Sequence, residues 1–271
     1  WGIAEPSTSD RLVDREGRIR LSPSRLVAIE KCSLSAFFDR HRGVESDSEA
    51  QRVGNAIHAI AEAIVAGLSE EDAVRAGESI VALVADGPEF HRANTIERWR
   101  TGVAKLHRFI TSRMPSADGA EVASEKMLQI PLGQLTDGTE VVLNGRIDLM
   151  ITDASGSTMV FDFKTAKNAP SAKEAGESPQ LSAYQFMVMH TEGLHNNGAA
   201  LVFPGTKKDE AETRQQEPLT EEQLQLYGVH LMDVADKAAG PRFAATPGTH
   251  CDHCDFAASC PAQPNGRMVV S

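Results

Sequence analysis

The chain has 271 residues and a formal net charge of −11, a length that is ample for a buried core in one large domain or two modest ones. The excess of acid argues against an avid, freestanding nucleic-acid binder, because contacts to phosphate require Lys and Arg. It does not exclude a metal-dependent enzyme, in which divalent cations bridge protein carboxylates to phosphate.

The first third of the chain is predicted to be helical. Residues 1–20 are polar and charged without a clear period, which is typical of a linker or arm. Ser22-Pro23 marks a helix start, since Ser caps helices and Pro is tolerated in the first turn. Apolar residues at helical spacing extend this pattern. The predicted helices are 22–41 (one helix, or two broken near Cys32), 48–66, 70–85 and 89–113.

Strands dominate the chain beyond residue 120. Turn-forming residues at 137–138 and 153–157 separate runs rich in β-branched and aromatic residues. The predicted strands are 121–132, 140–152, 158–166 and 198–204, and further helices are predicted at 179–192 and 220–239. This order predicts an α/β or α+β sheet flanked by helices, with a right-handed parallel crossover between the third and fourth strands.

The segment FDFKTAK, which begins at Phe161, places an acid and a lysine two residues apart in an apolar strand. Because side chains alternate along a strand, Phe161 and Phe163 enter the core while Asp162 and Lys164 share the other face. Alone, this pair is a surface ion pair worth little. Pairing of the second and third strands would bring Asp148 beside Asp162, and two adjacent carboxylates repel unless a cation joins them. Mg²⁺ or Mn²⁺ suits these oxygen ligands, and the main-chain carbonyl of Phe163 is a natural further ligand.

Two helices carry further candidates. Gln180 and Tyr184 are four residues apart and share one helix face. His58 interrupts an apolar helix face. Considered alone, His58 is a core histidine, and Gln180 and Tyr184 are ordinary helix residues. Glu125, on the first predicted strand, is either an acid near the site or a solvated strand residue.

The cysteines indicate a second site. The last three follow the spacing C-x2-C-x5-C, and the four are Cys32, Cys251, Cys254 and Cys260. The chain is too large for a small disulfide-stapled domain, and a close C-x2-C pair is typical of a metal or cluster site in a reducing compartment. We therefore expect a cytoplasmic protein without a membrane partner. Four thiolates satisfy either zinc or an iron–sulfur cluster, and the adjacent His250 and His253 would suit zinc.

These motifs together resemble a known family. The order His58, Asp148 in GRIDLM, DFKT from Asp162 and Gln180-x3-Tyr184 resembles the RecB-type branch of the PD-(D/E)XK nucleases. One cysteine before this core and three after it resemble the iron–sulfur version of the branch. That version occurs in the AddB and AdnAB types of bacterial helicase–nuclease, in a eukaryotic replication helicase–nuclease and in CRISPR-adaptation nucleases.

The resemblance implies an α/β, restriction-endonuclease-like core with a central mixed sheet of four to five strands and helices on both sides. The implied organisation is a nuclease domain at 21–262, with a helical part (21–115), a nuclease core (120–240) and a cluster segment (250–262), followed by a tail (263–271).

The resemblance also implies residue roles. Asp148, Asp162 and His58 would bind Mg²⁺ or Mn²⁺ together with the carbonyl of Phe163. Lys164 would be catalytic, and Gln180 and Tyr184 would arrange the site or touch DNA. The cysteines would hold a structural [4Fe–4S] cluster rather than zinc.

The implied function is hydrolysis of single-stranded DNA by the nuclease domain of a bacterial helicase–nuclease in double-strand-break repair. The sequence has no Walker G-x4-GK[ST] motif and no initiator Met, so we expect the helicase motor elsewhere in a parent chain or on a partner subunit. The alternatives are a freestanding CRISPR-adaptation exonuclease and a catalytically idle, cluster-stabilised module that binds DNA ends. Several basic residues either line a path for single-stranded DNA or lie on solvated helix faces. They are Arg25, Lys31, Arg40, Arg42, Lys164, Lys167 and Lys173.

Overall fold

The structure is a computed structural model that describes residues 11–41, 48–114, 119–264 and 266. The chain divides into two compact units. The first comprises Trp1–Glu45, Gln129–Gly145 and Glu221–Ser271, and the second comprises Ser46–Leu128 and Arg146–Thr220. Residues 1–10 of the predicted arm lie outside the described residues, as does most of the predicted tail.

The predicted helices and strands occur in the predicted order along the chain, together with two further strands and one further short helix among the described residues. In this order they are β1 (Ile19–Leu21), α1 (Pro23–Lys31), α2 (Ser33–His41), α3 (Glu49–Val65), α4 (Glu70–Val84), α5 (Glu89–Thr111), β2 (Glu121–Gln134), β3 (Glu140–Thr152), β4 (Ser157–Phe163), α6 (Ala172–Gly176), α7 (Pro179–Met189), β5 (His195–Phe203), β6 (Glu212–Gln216) and α8 (Glu221–Ala239). Two short 3₁₀ turns follow, at Thr249–His253 and Ala257–Ser259. Of the helices in the described ranges, none has both the length and the apolar composition that a membrane crossing requires.

Within the described residues, six strands form one mixed sheet in the order β1-β3-β4-β5-β6, and β2 pairs with β3. Strand β3 runs parallel to β1 and antiparallel to β4. Strands β4 and β5 are parallel, and α6 and α7 lie between them in the chain. Strand β6 is antiparallel to β5 at the sheet edge. The predicted α/β class, the central mixed sheet and the parallel crossover are therefore confirmed.

Two strands were not predicted from the sequence. Strand β1 takes up Ile19 and Arg20, the last two residues of the predicted arm, and Ile19 is buried. Strand β6 consists of polar residues and pairs with β5 alone. The predicted break near Cys32 is confirmed, because α1 ends at Lys31 and the backbone of Cys32 is extended.

The core of the second unit fixes the face on which the DFKT motif presents its charges. Phe161 and Phe163 are buried in a cluster with Phe109 of α5, whose ring meets theirs edge-on at centroid distances of 5.3 and 6.5 Å. Since alternate side chains point to opposite faces, this packing directs Asp162 and Lys164 away from the α5 side of the sheet, as predicted.

Candidate active site

The β3–β4 hairpin brings two carboxylates together. Leu149 pairs with Phe161 across the two antiparallel strands, so the next opposed positions are Asp148 and Asp162. Both aspartates are buried, at 7% and 3% exposure. The backbone N–H of Phe163 donates to Asp148 Oδ2 at 2.7 Å, which fixes that carboxylate against the sheet. Two buried carboxylates side by side are costly unless a cation or a proton compensates their charge.

Helix α7 fixes one oxygen of Asp162. Gln180 Nε2 and Tyr184 OH donate to Asp162 Oδ1 at 2.8 and 3.0 Å. Gln180 Nε2 also lies 3.2 Å from Tyr184 OH, and Gln180 Oε1 accepts a hydrogen bond from Lys164 Nζ at 2.9 Å. The helix begins with Ser178 as its cap and Pro179 in its first turn, so Gln180 lies at the helix start, close to the end of β4.

The other oxygen of Asp162 forms an ion pair. Lys164 Nζ lies 2.6 Å from Asp162 Oδ2, and among the described residues this buried oxygen has no hydrogen-bond partner besides this ammonium. A carboxylate oxygen has two lone pairs, so Oδ2 can accept a further ligand beside the ammonium.

A second group of donors adjoins Asp148. His58 Nδ1 lies 3.3 Å from Asp148 Oδ1 and 3.5 Å from Glu125 Oε1. The ligand atoms of His58, Glu125 and Asp148 all lie within 4.8 Å of one another. Arg146, whose side chain is largely exposed, forms an ion pair with the other oxygen of Glu125, with Nε 2.9 Å from Oε2. Asp162 is not a member of this three-residue group.

Helix α3 and strand β2 supply two of these donors. Helix α3 starts with a capping box, in which Ser48 and Gln51 satisfy each other's backbone N–H groups. It buries an apolar face and leaves His58 half-buried. In β2, Glu125 has a positive φ of +52°, a conformation that is unusual for a residue with a side chain.

The protonation of the site follows from burial and charge. Burial lowers the pKa of His58, but the hydrogen bond and charge of Asp148 and the charges of Glu125 and Asp162 raise that pKa above its ordinary value overall. Burial raises the pKa of Asp162, the charge of Lys164 lowers it, and the charge of Asp148 raises it, with a net increase. Both shifts reflect the negative charge that the carboxylates bring together at the site.

The donor set fits a divalent metal ion. One imidazole nitrogen and two carboxylate oxygens converge, and among the described residues the buried Oδ2 of Asp162 contacts only the ammonium of Lys164. Carboxylate oxygens suit Mg²⁺ and Mn²⁺, whereas an imidazole nitrogen is a ligand more typical of transition metals. The predicted site residues His58, Asp148, Asp162, Lys164, Gln180 and Tyr184 thus lie together in the second unit.

Two further residues belong to this arrangement. Sequence reasoning left Glu125 between an acid near the site and a solvated strand residue, and the structure shows a carboxylate that is 18% exposed and faces His58. Arg146 was not considered, although it lies in the same GRIDLM segment as Asp148. Only the alternation of side chains along β3 could have indicated Arg146, because Arg146 and Asp148 are two residues apart.

The four cysteines line a single cavity in the first unit, with Phe38, His250 and Phe256 also in its wall. None of these four cysteines forms a disulfide, and Cys32 is buried. Aromatic contacts support the segment that carries the last three: Phe37 stacks on Phe243 at 4.3 Å, and Phe38 lies 5.3 Å from Phe256. The predicted convergence of the four thiols is therefore present in the fold.

Four thiols around one cavity are the ligand set of either a tetrahedral zinc ion or an iron–sulfur cluster. His250, which also lines the cavity, is a donor that zinc accepts.

Comparison with known proteins identifies the family. A family model described as the PD-(D/E)XK nuclease superfamily matches residues 20–261. No curated protein gives a significant match. The solved structure titled "Crystal structure of SSO0001" is similar at a TM-score of 0.44 and 16% sequence identity, covering 93% of this chain and 89% of that chain. The family match covers most of the chain and agrees with the mixed α/β fold. The chain belongs to the PD-(D/E)XK nuclease superfamily.

Proposed function

We propose that this member of a metal-dependent nuclease superfamily is a deoxyribonuclease that hydrolyses phosphodiester bonds in single-stranded DNA. The observation that carries the proposal is the convergence of Asp148, Asp162 and Lys164 on one hairpin beside His58. Acids that hold a cation, next to an ammonium group, provide the charge needed to attack a phosphodiester.

His58, Asp148, Asp162 and the carbonyl of Phe163 would hold Mg²⁺ or Mn²⁺, and Glu125 lies close enough to share in this role. A divalent cation supplies charge against the phosphate and lowers the pKa of water. The protein orients the ligands: the N–H of Phe163 holds Asp148, and α7 holds Asp162.

Lys164 has a separate role. Its ammonium lies between Asp162 Oδ2 and Gln180 Oε1, so its position is fixed before substrate arrives. From there it stabilises the negative charge that grows on the phosphate oxygens, or orients the attacking water. Gln180 holds both Asp162 and Lys164 in position through hydrogen bonds, and Tyr184 holds Asp162. The proposed catalytic set is therefore Asp148, Asp162, Lys164, Gln180 and Tyr184.

We further propose that Cys32, Cys251, Cys254 and Cys260 hold a [4Fe–4S] cluster, with zinc as the weaker alternative. Four cysteines line one cavity, and the resemblance to the iron–sulfur version of the branch favours a cluster over zinc. The cluster would be structural, since it joins residues from both ends of the chain and restricts the unfolded ensemble. Iron and sulfide assays and an absorbance spectrum of anaerobically purified protein test it. Colourless protein rich in zinc would refute it.

The biological setting rests on the resemblance to the helicase-linked nucleases. In this setting the chain is the nuclease domain of a cytoplasmic bacterial helicase–nuclease that processes double-strand breaks. The motor would lie in the same parent chain or on a partner subunit. Helicase motifs encoded upstream of Trp1 would support this role, and a freestanding gene would favour the CRISPR-adaptation type of exonuclease.

The test of the proposed activity is cleavage of a labelled single-stranded DNA by purified protein in Mg²⁺ or Mn²⁺. We expect the wild type to cleave it and Asp148→Ala and Asp162→Ala to be inactive. Asp233→Ala is the matched control, because Asp233 is an exposed acid paired with Lys237 on α8. Near wild-type cleavage by either site variant would show that the site is misassigned. A wild type that binds DNA ends without cutting them would favour the idle module.

A further inference from the structure

A large basic cavity lies in the second unit, outside the carboxylate site. Its volume is about 980 Å³. Among the described residues, five cations and two carboxylates line it, an excess of positive charge on a chain whose net charge is −11. The cations are Arg98, Lys105, Lys167, Lys207 and Lys208.

The nearby acids do not cancel this charge. Glu97 lies 3.1 Å from Arg100, and Glu212 lies 2.5 Å from Arg214, so both lining carboxylates already have basic partners. Asp209 and Glu210 directly follow Lys207 and Lys208 in the chain. Their negative charges attract the ammonium of the buried Lys105. Glu210 in turn lies 3.6 Å from Arg108.

Two internal cations build the cavity walls. The Arg98 guanidinium donates to the carbonyls of Thr165 at 2.6 Å and Gly205 at 2.8 Å, which joins the two loops on either side. Lys105 is 5% exposed and donates to the carbonyls of Thr206 and Lys208. The loops that carry the exposed Lys167, Lys207 and Lys208 are therefore held in place before any ligand binds.

The cavity adjoins a second one that is lined by the proposed catalytic lysine. A second cavity of about 560 Å³ is lined by Lys164, and Asn168 and Ala169 line both cavities. Lys164 and Lys167 are three residues apart, so their Cα atoms are separated by at most about 10 Å. A strand whose phosphate reaches Lys164 therefore passes Lys167 within a short length of backbone.

We propose that Lys167, Lys207 and Lys208 form a phosphate subsite that holds the sugar–phosphate backbone of the substrate strand beside the bond that is cut. The inference rests on the proposed nuclease function and adds a positioning role for these lysines. No aromatic side chain is among the described residues that line the cavity. The subsite therefore holds phosphates without stacking bases, and its binding is independent of sequence.

The experiment compares a long oligothymidylate with the thymidine dinucleotide, which has one phosphodiester and cannot fill both sites. In the variant Lys167→Gln/Lys207→Gln/Lys208→Gln, we expect kcat/KM for the long strand to fall about tenfold or more at moderate salt. The value for the dinucleotide should stay within about twofold of wild type. The slope of log K against log salt for long-strand binding in EDTA should weaken by about 2, for three lost phosphate contacts.

The matched control removes the same charge elsewhere, with Arg15→Gln/Arg75→Gln/Lys237→Gln, and should leave long-strand binding within about twofold of wild type. Equal losses for both substrates, an equal loss in the control, or unchanged long-strand binding would each overturn the subsite. If the triple lysine variant loses binding of inorganic phosphate but keeps oligonucleotide binding, the cavity is a free-phosphate site. That result would also overturn the backbone subsite. Absence of cleavage by the wild type would refute the proposed function, and the binding measurement in EDTA would still decide the subsite.

Discussion

The carboxylate of Asp162 is bound asymmetrically. Its Oδ1 accepts hydrogen bonds from Gln180 and Tyr184, whereas the ion pair with Lys164 is the one polar contact of its buried Oδ2 in the part of the chain that the structure describes. A buried carboxylate is weak evidence for stability, because removing its charge from water costs more than one ion pair returns. The arrangement is consistent with the proposed function, in which one oxygen is fixed and the other is presented to a cation.

Replacing Lys164 should separate catalysis from folding. We expect Lys164→Ala to lower kcat by about 10²–10³, the loss typical of one preorganised donor. The variant should still fold, because the lysine is partly exposed and Asp162 can take up a proton when it loses the ammonium. Lys237→Ala is the control, since Lys237 is paired with Asp233 on α8. A rate close to wild type for Lys164→Ala would remove this lysine from the mechanism.

Glu125 combines a strained backbone with a carboxylate at the site. Its φ of +52° costs a residue with a side chain about 1 kcal/mol or more, whereas glycine adopts it freely. We therefore expect the free energy of unfolding of Glu125→Gly to exceed that of Glu125→Ala by about 1 kcal/mol, so that the glycine variant is the more stable. Both variants should bind Mg²⁺ about tenfold more weakly than wild type, because both lack the carboxylate.

Denaturant unfolding and calorimetric metal titration measure these two effects separately. Equal stability of the glycine and alanine variants would contradict the strain. Unchanged Mg²⁺ affinity in both would show that the Glu125 carboxylate takes no part in the metal site.

Helix α7 aligns the catalytic hairpin, because residues four apart on its surface face the same carboxylate. Tyr184→Phe removes one of the two hydrogen bonds to Asp162 Oδ1. We expect kcat to fall about tenfold with little change in the KM for DNA, and stability to change by about 1 kcal/mol. Tyr227→Phe, at the other tyrosine of the chain, is the matched control. A rise in KM without a fall in kcat would indicate that Tyr184 contacts DNA instead.

The sequence predicted the elements that carry a clear period. Alternation along β3 and β4 placed Asp148 beside Asp162, and the four-residue spacing of Gln180 and Tyr184 placed both on one face of α7. Strand β1 escaped prediction because three residues are too few to show a period. Strand β6 was not predicted because an edge strand can be polar throughout and then shows no alternation of apolar and polar residues.

The geometry of Glu125 could not be predicted either. Its positive φ is a backbone conformation that local propensity does not predict for a glutamate in a strand. The convergence of the four cysteines likewise depends on contacts between residues distant in sequence, such as Phe37 with Phe243 and Phe38 with Phe256. The sequence indicated which side chains are candidate ligands, but not the distances between them.

For the whole molecule, the metal-free protein should lose stability as pH rises. The raised pKa of His58 gives stability that is present below about pH 6.5 and lost as pH rises through the folded-state value. Asp162, whose pKa burial raises, destabilises the fold as it ionises above about pH 3.9. Asp137 does not contribute to this loss of stability at rising pH. Hydrogen bonds from Thr139 and Arg11 hold its pKa at about 2, so its carboxylate is already ionised throughout this range.

Thermal unfolding in EDTA and in Mg²⁺, at about pH 5 and about pH 8, measures this dependence. We expect the gain in midpoint from Mg²⁺ to be larger at the higher pH, because protons compete with the metal for His58 and Asp162. In Asp162→Asn the difference between the two pH values should shrink. An equal or larger gain at the lower pH would contradict the assigned ligands.

The most direct test of the central claim is anomalous diffraction from crystals of the protein soaked in Mn²⁺. The account predicts one strong peak within bonding distance of Asp148, Asp162 and His58, next to the ammonium of Lys164. A peak elsewhere, or none at a Mn²⁺ concentration that supports activity, would contradict it.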